Sequence, residues 1–475
     1  MPNYCTTIKE PTSETAKVSY VAFGATHDEV VVYADFGLKL TIFNLEWRTS
    51  IDIPNPKLYR AGNASKGYAY RPKTRNLALL SRRDGKDVVS IHRVSNYEVL
   101  RSWNPETIDA ASISWSLDGR WLAVIESAGH GHKILFYTAD GHLFRTWKGP
   151  RPSGIEEADI DLGAGVRSIE WSADGRYLAV ADHSPKITLL SIPIFVETMR
   201  VEHTSTIKPM EGLQVWQEQV ITRAQAVLAK TEQRSYTPVT TAVHPPTSAP
   251  IPASSVTTDV KSGTALMTID KTGTLIVSIT ASLPTTIFVW DIASKLLRAV
   301  LIQHSPVAKL TWHPSISELL LIRCESDDTK GVAYIWEPTF EVPKIVDFGS
   351  RLPEGRTLGN AVIRWLPSSF LEDNDVHEHA PALFFADAQD TILASLSENE
   401  EDVPWNEAKP KALDSYGQAE ESPLNIVDMP YHEDAGSELP SPEETGNGTI
   451  STLGEEDMTE GDMDDTFDFK KSTVR

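Results

Sequence analysis

A thirteen-residue pattern occurs twice. Ser112-Ile113-Ser114-Trp115-Ser116-Leu117-Asp118-Gly119-Arg120-Trp121-Leu122-Ala123-Val124 returns 56 residues later as Ser168-Ile169-Glu170-Trp171-Ser172-Ala173-Asp174-Gly175-Arg176-Tyr177-Leu178-Ala179-Val180. Each copy reads as an alternating strand ending in Trp, an Asp-Gly step, and a second apolar strand. Asp-Gly supplies the positive φ angles that a tight hairpin needs. A hairpin repeated at fixed spacing has no core of its own and buries its faces only by stacking on its neighbours.

Looser copies extend the series. Hairpin anchors fall at Phe23, Tyr70, Trp115, Trp171, Ile269, Trp312 and Trp365, most of them 43 to 56 residues apart. That spacing approaches the roughly 40–45 residues of a four-stranded propeller blade. A third strand follows each hairpin, as in Lys39–Phe43, Val88–Ile91, Lys133–Tyr137, Thr286–Asp291 and Val332–Trp336. Trp290-Asp291 is the pair that names the WD40 repeat, and other copies carry Asn44, Thr138 or Glu337 instead of the Asp. Tyr97–Trp103 and Leu143–Trp147 read as fourth strands. The expected fold is an all-β WD40 β-propeller with about seven recognisable four-stranded blades. Phe23, Tyr70, Trp115, Trp171, Trp312 and Trp365 recur at one repeat position and are expected as core anchors, not as a cofactor cage.

Blades are expected over residues 18–190 and 263–397, after a polar leader at 1–17. Between them, 98 residues separate Trp171 from Ile269, and no second hairpin is evident from 191 to 262. That stretch is read as an insertion. Leu213, Trp216, Val220, Ala224 and Val227 follow helical spacing, whereas Leu213, Val215 and Gln217 also fit strand alternation. A Pro/Ser/Thr-rich run from Tyr236 to Asp259 reads as a flexible loop.

Charge narrows the function. Acidic residues outnumber basic ones 66 to 44, for a net charge of -22. Residues 398–475 hold 22 acidic and 5 basic groups, so -17 belongs to this tail and -5 to the rest. With no apolar period, the tail is expected to be disordered. So acidic a chain is a poor general binder of nucleic acid or of anionic membrane, and neither is expected as a direct partner. Only Cys5 and Cys324 are present, which excludes a disulfide framework and fits a reducing compartment. The first thirteen residues lack the apolar run of a secretory signal. Ile187–Val196, broken by Ser191 and Pro193, is too short to span a bilayer. A soluble intracellular protein is expected.

No catalytic set is evident. Gly129-His130-Gly131-His132 with His142 hints at a metal loop, but no carboxylate or Cys cluster accompanies it, and a polar hairpin explains it better. No nucleophile elbow and no phosphate loop occurs. Asp118 and Asp174 are explained by their turns. Asn63-Ala64-Ser65 and Asn447-Gly448-Thr449 match glycosylation sequons without meaning in a cytosolic chain. No enzyme activity, cofactor or metal is expected. In the tail, Ser422-Pro423 and Ser441-Pro442 suit a proline-directed kinase. Phe467 and Phe469, set between acids and Lys470-Lys471, suit a partner-docking peptide.

The ordered series resembles the WD-repeat protein 8 family, WD40 proteins of centrosomes and fungal spindle pole bodies. The resemblance runs from about Val18 to Ala394. It is carried by Asp84–Ile91, Tyr137–Leu143, Val289-Trp290-Asp291-Ile292 followed by Ala299-Val300-Leu301, and Ser305-Pro306-Val307 running into Trp312. It implies a non-enzymatic scaffold that anchors microtubule minus ends at the spindle pole body or centrosome. The implied partners are a coiled-coil spindle-pole anchoring protein and a kinesin-14 motor, and the implied location is the cytoskeleton of the cytoplasm. Members of that family usually carry about two repeats before the one matching Phe23, and a propeller without them leaves an unpaired strand edge, so the resemblance does not decide whether the ring closes. The alternative scaffold reading is a substrate receptor of a ubiquitin ligase or a translation-factor-like propeller.

Overall fold

The computed structural model describes residues 7–8, 18–34, 39–57, 67–150, 164–225, 229–247, 263–352, 358–359, 361–366, 380–396, 466–467 and 470–473. Seven antiparallel sheets follow one another along the chain. Blade 1 is built from Val18–Phe23, Glu29–Ala34, Lys39–Asn44 and Thr49–Pro54. Blade 2 is Tyr68–Tyr70, Leu77–Arg83, Lys86–His92 and Val99–Trp103. Blade 3 is Ala110–Trp115, Trp121–Glu126, Ile134–Thr138 and Leu143–Trp147. Blade 4 is Val166–Trp171, Tyr177–Asp182, Lys186–Ser191 and Val196–Glu202. Blade 5 is Thr264–Ile269, Leu275–Thr280, Thr286–Asp291 and Leu296–Ile302. Blade 6 is Val307–Trp312, Leu320–Cys324, Val332–Trp336 and Lys344–Asp347. Blade 7 has three strands among the described residues, Val362–Trp365, Ala382–Ala386 and Thr391–Ser395. The fold is the expected all-β WD40 propeller.

The repeat is visible in the backbone as well as the residues. In blades 1, 3, 4, 5 and 6 the first strand carries a bulge one or two residues from its start. Such bulges strengthen local twist, as a tightly wound blade requires. Trp115 pairs with Leu122 and Trp171 with Leu178, the same register in both copies. Gly119 and Gly175 both take φ of +72°, the left-handed turn that the Asp-Gly step predicts.

Six hydrophobic cores join successive blades, from 1–2 through 6–7. The second strand of each of blades 2 to 6 serves two of them. In blade 3, Leu122 and Val124 enter the core shared with blade 2, while Ala123 and Ile125 enter the core shared with blade 4. Two buried faces explain why these strands read as continuous apolar runs instead of alternating ones. Among the described residues, no hydrophobic cluster spans blades 7 and 1.

The chain between blades 4 and 5 departs from expectation. Val196–Glu202 is not inserted, because it completes blade 4. A hairpin then forms from Gln214–Gln225 and Ala229–Pro238, where none was evident in sequence. Gln214–Gln217 pair in parallel with Ala299–Ile302, extending blade 5 to six strands. The helical spacing of Leu213, Trp216, Val220 and Ala224 is overridden by this pairing, and Val227 lies outside the described residues. Glu218–Gln225 continue past the last blade 5 pair, and their strand pairing is with the returning strand, a ribbon of roughly 26 Å at strand rise.

The root of the hairpin is fastened by a buried carboxylate. Glu218 accepts hydrogen bonds from the Tyr334 hydroxyl (2.7 Å), the Arg234 guanidinium (3.0 Å) and the His304 backbone N–H (2.7 Å). Tyr236, expected at the start of a flexible run, is instead buried and bonded to Gln303 at 2.9 Å. Ile207 and Val243 form a further bridge, so the described part of that run is tied down. Residues 248–259 lie outside the described residues.

The chain divides into two compact units, Met1–Lys9 with Glu407–Phe467, and Glu10–Asn406 with Asp468–Arg475. In the first, Thr7–Ile8 pairs in parallel with Thr466–Phe467. In the second, Lys470–Thr473 runs parallel to Thr49–Asp52 on the edge of blade 1.

Arg234→Ala leaves the Glu218 charge buried and without its ionic partner. It should lower stability by about 3–5 kcal/mol in urea unfolding. Trp171→Ala, removing a buried indole, should cost about the same, whereas Phe23→Ala, at 72% exposure, should stay within about 0.5 kcal/mol.

Candidate functional site

The repeat anchors divide by environment. Trp115, Trp171 and Trp365 are buried, and Tyr70 and Trp312 are half-buried. The Trp171 indole N–H donates to Ser114 Oγ at 3.0 Å, and that of Trp365 to the Thr311 carbonyl at 3.1 Å, so each ties its blade to the one before it. Phe23 corrects the expectation of a core anchor. It lies outside the core between blades 1 and 2 and faces a channel of about 500 Å³ lined by the first strands of blades 1–4.

Trp290 belongs to a buried relay in blade 5. Its indole N–H donates to Ser278 Oγ at 3.1 Å, and Ser278 contacts His203 Nε2 at 2.8 Å. The other ring nitrogen of His203 lies 2.7 Å from the Pro185 carbonyl. A carbonyl only accepts, so Nδ1 carries the proton, Nε2 accepts from the serine, and the serine accepts from the indole. Burial lowers the His203 pKa to about 4, keeping the ring neutral as this relay requires. Blade 2 repeats the logic. His92 Nδ1 meets the Tyr97 carbonyl at 2.8 Å and Nε2 meets Ser90 at 2.9 Å. The Tyr97 hydroxyl then donates to Glu29 of blade 1 at 2.6 Å.

Asp291 has a local task. Its carboxylate accepts the Ser294 N–H at 2.7 Å and closes the turn into the next strand. Asn44 does the same for the Trp47 N–H at 2.9 Å, and Thr138 for the His142 N–H at 3.3 Å. Two of the three departures from Trp-Asp thus keep a side-chain oxygen at the turn, whereas at Glu337 the backbone carbonyl accepts the Phe340 N–H at 3.1 Å. The Asp-Gly turns are equally local. Asp118 accepts from Ser116 Oγ (2.6 Å) and the Arg120 N–H (2.9 Å), and Asp174 accepts from Ser172 Oγ and the Arg176 N–H at the same distances. These bonds draw both carboxyls below their ordinary pKa despite partial burial, which works in the opposite sense.

The Gly129–His132 segment sits between the second and third strands of blade 3. His132 turns inward, 3.3 Å from the Asp182 carboxylate and edge-on to Trp147. Among the described residues no three His, Cys, Asp or Glu side chains stand close enough together to hold a metal ion. Phe467 contributes backbone to the pair with Ile8. Phe469, Ser422 and Ser441 lie outside the described residues.

What sequence reading missed is a groove of about 770 Å³ between the last strands of blades 3 and 4. Arg145, Trp147 and Lys148 come from one side, Phe195, Val196, Met199 and Arg200 from the other, and Lys295 from the turn into the last strand of blade 5. Alternation along Leu143–Trp147 and Val196–Glu202 gives a hint of it only once the two strands are known to be neighbours.

Seven successive antiparallel sheets with the Trp290-Asp291 repeat define a WD-repeat β-propeller. No family model matches the chain. An uncharacterized WD repeat-containing protein of Schizosaccharomyces pombe is 27% identical over 332 residues, covering 67% of this chain and 62% of that protein. The Mus musculus WD repeat-containing protein WRAP73 is 24% identical over 331 residues, covering 66% of each. The homologues of this chain are therefore WD repeat-containing proteins. The chain spans just under two thirds of the length of these relatives. The solved structure of the Dos1 propeller aligns with a TM-score of 0.42 at 13% identity, over 70% of this chain and 69% of that one.

Acid titration should report the buried histidines. Burial lowers His203 and His313 to about 4, while an unfolded histidine titrates near 6.5. Above about pH 6.5 both states are neutral, so their contribution is complete. As pH falls from about 6.5 towards 4 only the unfolded chain takes the proton, and stability is lost. Glu170, raised by burial to about 7, acts in the opposite sense from about 7 to 4.5. A His203→Gln chain should be less stable at neutral pH yet lose less of its urea midpoint between pH 6.5 and 4 than the parent. An equal loss in the two chains would exclude His203 as a source.

Proposed function

We propose that this chain is a non-enzymatic WD40 scaffold that helps anchor microtubule minus ends at the spindle pole body or centrosome. The observation that carries the scaffold reading is the use of the repeat. Its recurring polar residues close turns and bolt blades together, leaving the perimeter and the Gln214–Pro238 hairpin as the surfaces for partners. A repeat array that uses its interior for packing meets other proteins along its extended outer surface. The spindle-pole reading rests on the sequence resemblance quoted above. With it come a coiled-coil anchoring protein and a kinesin-14 motor as partners. Phe467 and Phe469 are the proposed docking residues of the tail, and Ser422 and Ser441 its phosphosites.

A tagged chain should appear as one or two dots at mitotic spindle poles, and pull-down from mitotic cells should recover a coiled-coil pole protein and a kinesin. Diffuse signal with neither protein recovered would sink the reading. Phe467→Ala with Phe469→Ala should weaken recovery of one partner without moving the thermal midpoint.

A further inference from the structure

The groove between blades 3 and 4 has a charge that its surroundings do not explain. Outside the tail the chain is net negative, yet Arg145, Lys148, Arg200 and Lys295 converge on this groove from three blades. Arg200 pairs with Glu197 at 2.8 Å. Among the described residues, Arg145, Lys148 and Lys295 form no ion pair, so within that set the rim is net positive. Beneath it lie Trp147, Phe195 and Met199, at 7, 1 and 5% exposure, with Val196 more open at 37%. Cations gathered without partners repel one another and add nothing to folding. They do steer and select an anion.

We propose that this groove docks an acidic, extended peptide of a partner protein that carries an apolar anchor residue. Three observations favour a peptide over nucleic acid. Four cations are fewer than the roughly 6–10 phosphate contacts of a strong electrostatic binder. Glu197 in the lining opposes a phosphate backbone but leaves room for a spaced row of carboxylates. The floor is apolar, and both flanking strands, Leu143–Trp147 and Val196–Glu202, are the last in their sheets among the described residues. An extended chain can bond to such an edge, with alternate side chains reaching the floor and the rim. The volume falls within the roughly 300–1,000 Å³ of built ligand sites. This reading names a partner chemistry for the scaffold and rests on that reading, but it is tested by binding in solution, independently of any location in the cell.

The test uses the full chain and a short fluorescent peptide alternating Glu with Phe, read by anisotropy. The peptide should bind saturably, more weakly at about 200 mM than at about 50 mM salt. A peptide with Lys in place of Glu should not bind. Arg145→Glu combined with Lys148→Glu and Lys295→Glu should raise Kd at least about tenfold, or about 1.4 kcal/mol, with the melting midpoint unmoved. Should that variant melt early, Lys148→Ala with Lys295→Ala, both at exposed positions, replaces it and should still weaken binding several-fold. Val196→Asp should also weaken it, showing that the apolar part takes part. The proposal is overturned by no saturable binding, by equal affinity in the charge variants, or by displacement of the peptide by an equimolar oligothymidine.

Discussion

Leu178 and Val180 point into the core shared with blade 3, while Ala179 and Ala181, their neighbours on the same strand, point into the core shared with blade 5. This two-sided burial governs the whole array. No blade holds enough apolar surface within itself to bury both faces, so each is stable only through the blades beside it. The consequence is legible at the ends of the series. Val21 and Phe23 of blade 1 and Val362 of blade 7 are the exposed large apolar residues of the described first strands, at 57, 72 and 52%. At the position of Val21 the interior copies are covered, Ile113 being buried and Ile169, Met267 and Leu310 half-buried.

Two-sided burial also constrains the polar groups between blades. A hydroxyl, an imidazole and an indole that satisfy one another there avoid the cost of about 1–3 kcal/mol of an unmet buried donor, although the Trp115 and Trp336 indoles have no such partner. His203, Ser278 and Trp290 meet that condition only with the proton on Nδ1 and a neutral ring. Aliphatic cores fill the space between blades, and at two places, His203–Ser278 and Tyr97–Glu29, directional hydrogen bonds add to them.

Local features of this fold were open to sequence reading and non-local ones were not. Asp118-Gly119 and Asp174-Gly175 declare their hairpins because the donors and acceptors of the turn lie within five residues. The equivalent turn of blade 5 is harder to see. There Asp270 replaces the serine and accepts the Leu275 N–H at 2.8 Å, as Ser172 Oγ accepts that of Tyr177. The Gln214–Pro238 hairpin was hidden for another reason. Its place is set by Ala299–Ile302 and by Tyr334, which lies 116 residues beyond Glu218. Its own sequence fits both periods. Phe23 shows the reverse error, since an aromatic at the repeat position is a core residue only where a neighbouring blade covers it.

The candidate groove belongs to the non-local class. Arg145 and Lys295 are 150 residues apart, and neither sits in a motif. Repeat arrays separate two kinds of constraint in this way. Positions that close turns or fill inter-blade cores are held by chemistry that any one of several residues can supply, as Asp291, Asn44 and Thr138 do at one turn. Positions at the perimeter carry no such duty, so a charge gathered there against the sign of the surrounding chain has no packing explanation. Arg145 and Lys148 close no turn and fill no core, and Lys295 serves its turn through a backbone at φ +60° while its side chain is exposed, so contact with something outside the chain is the role proposed for these three charges.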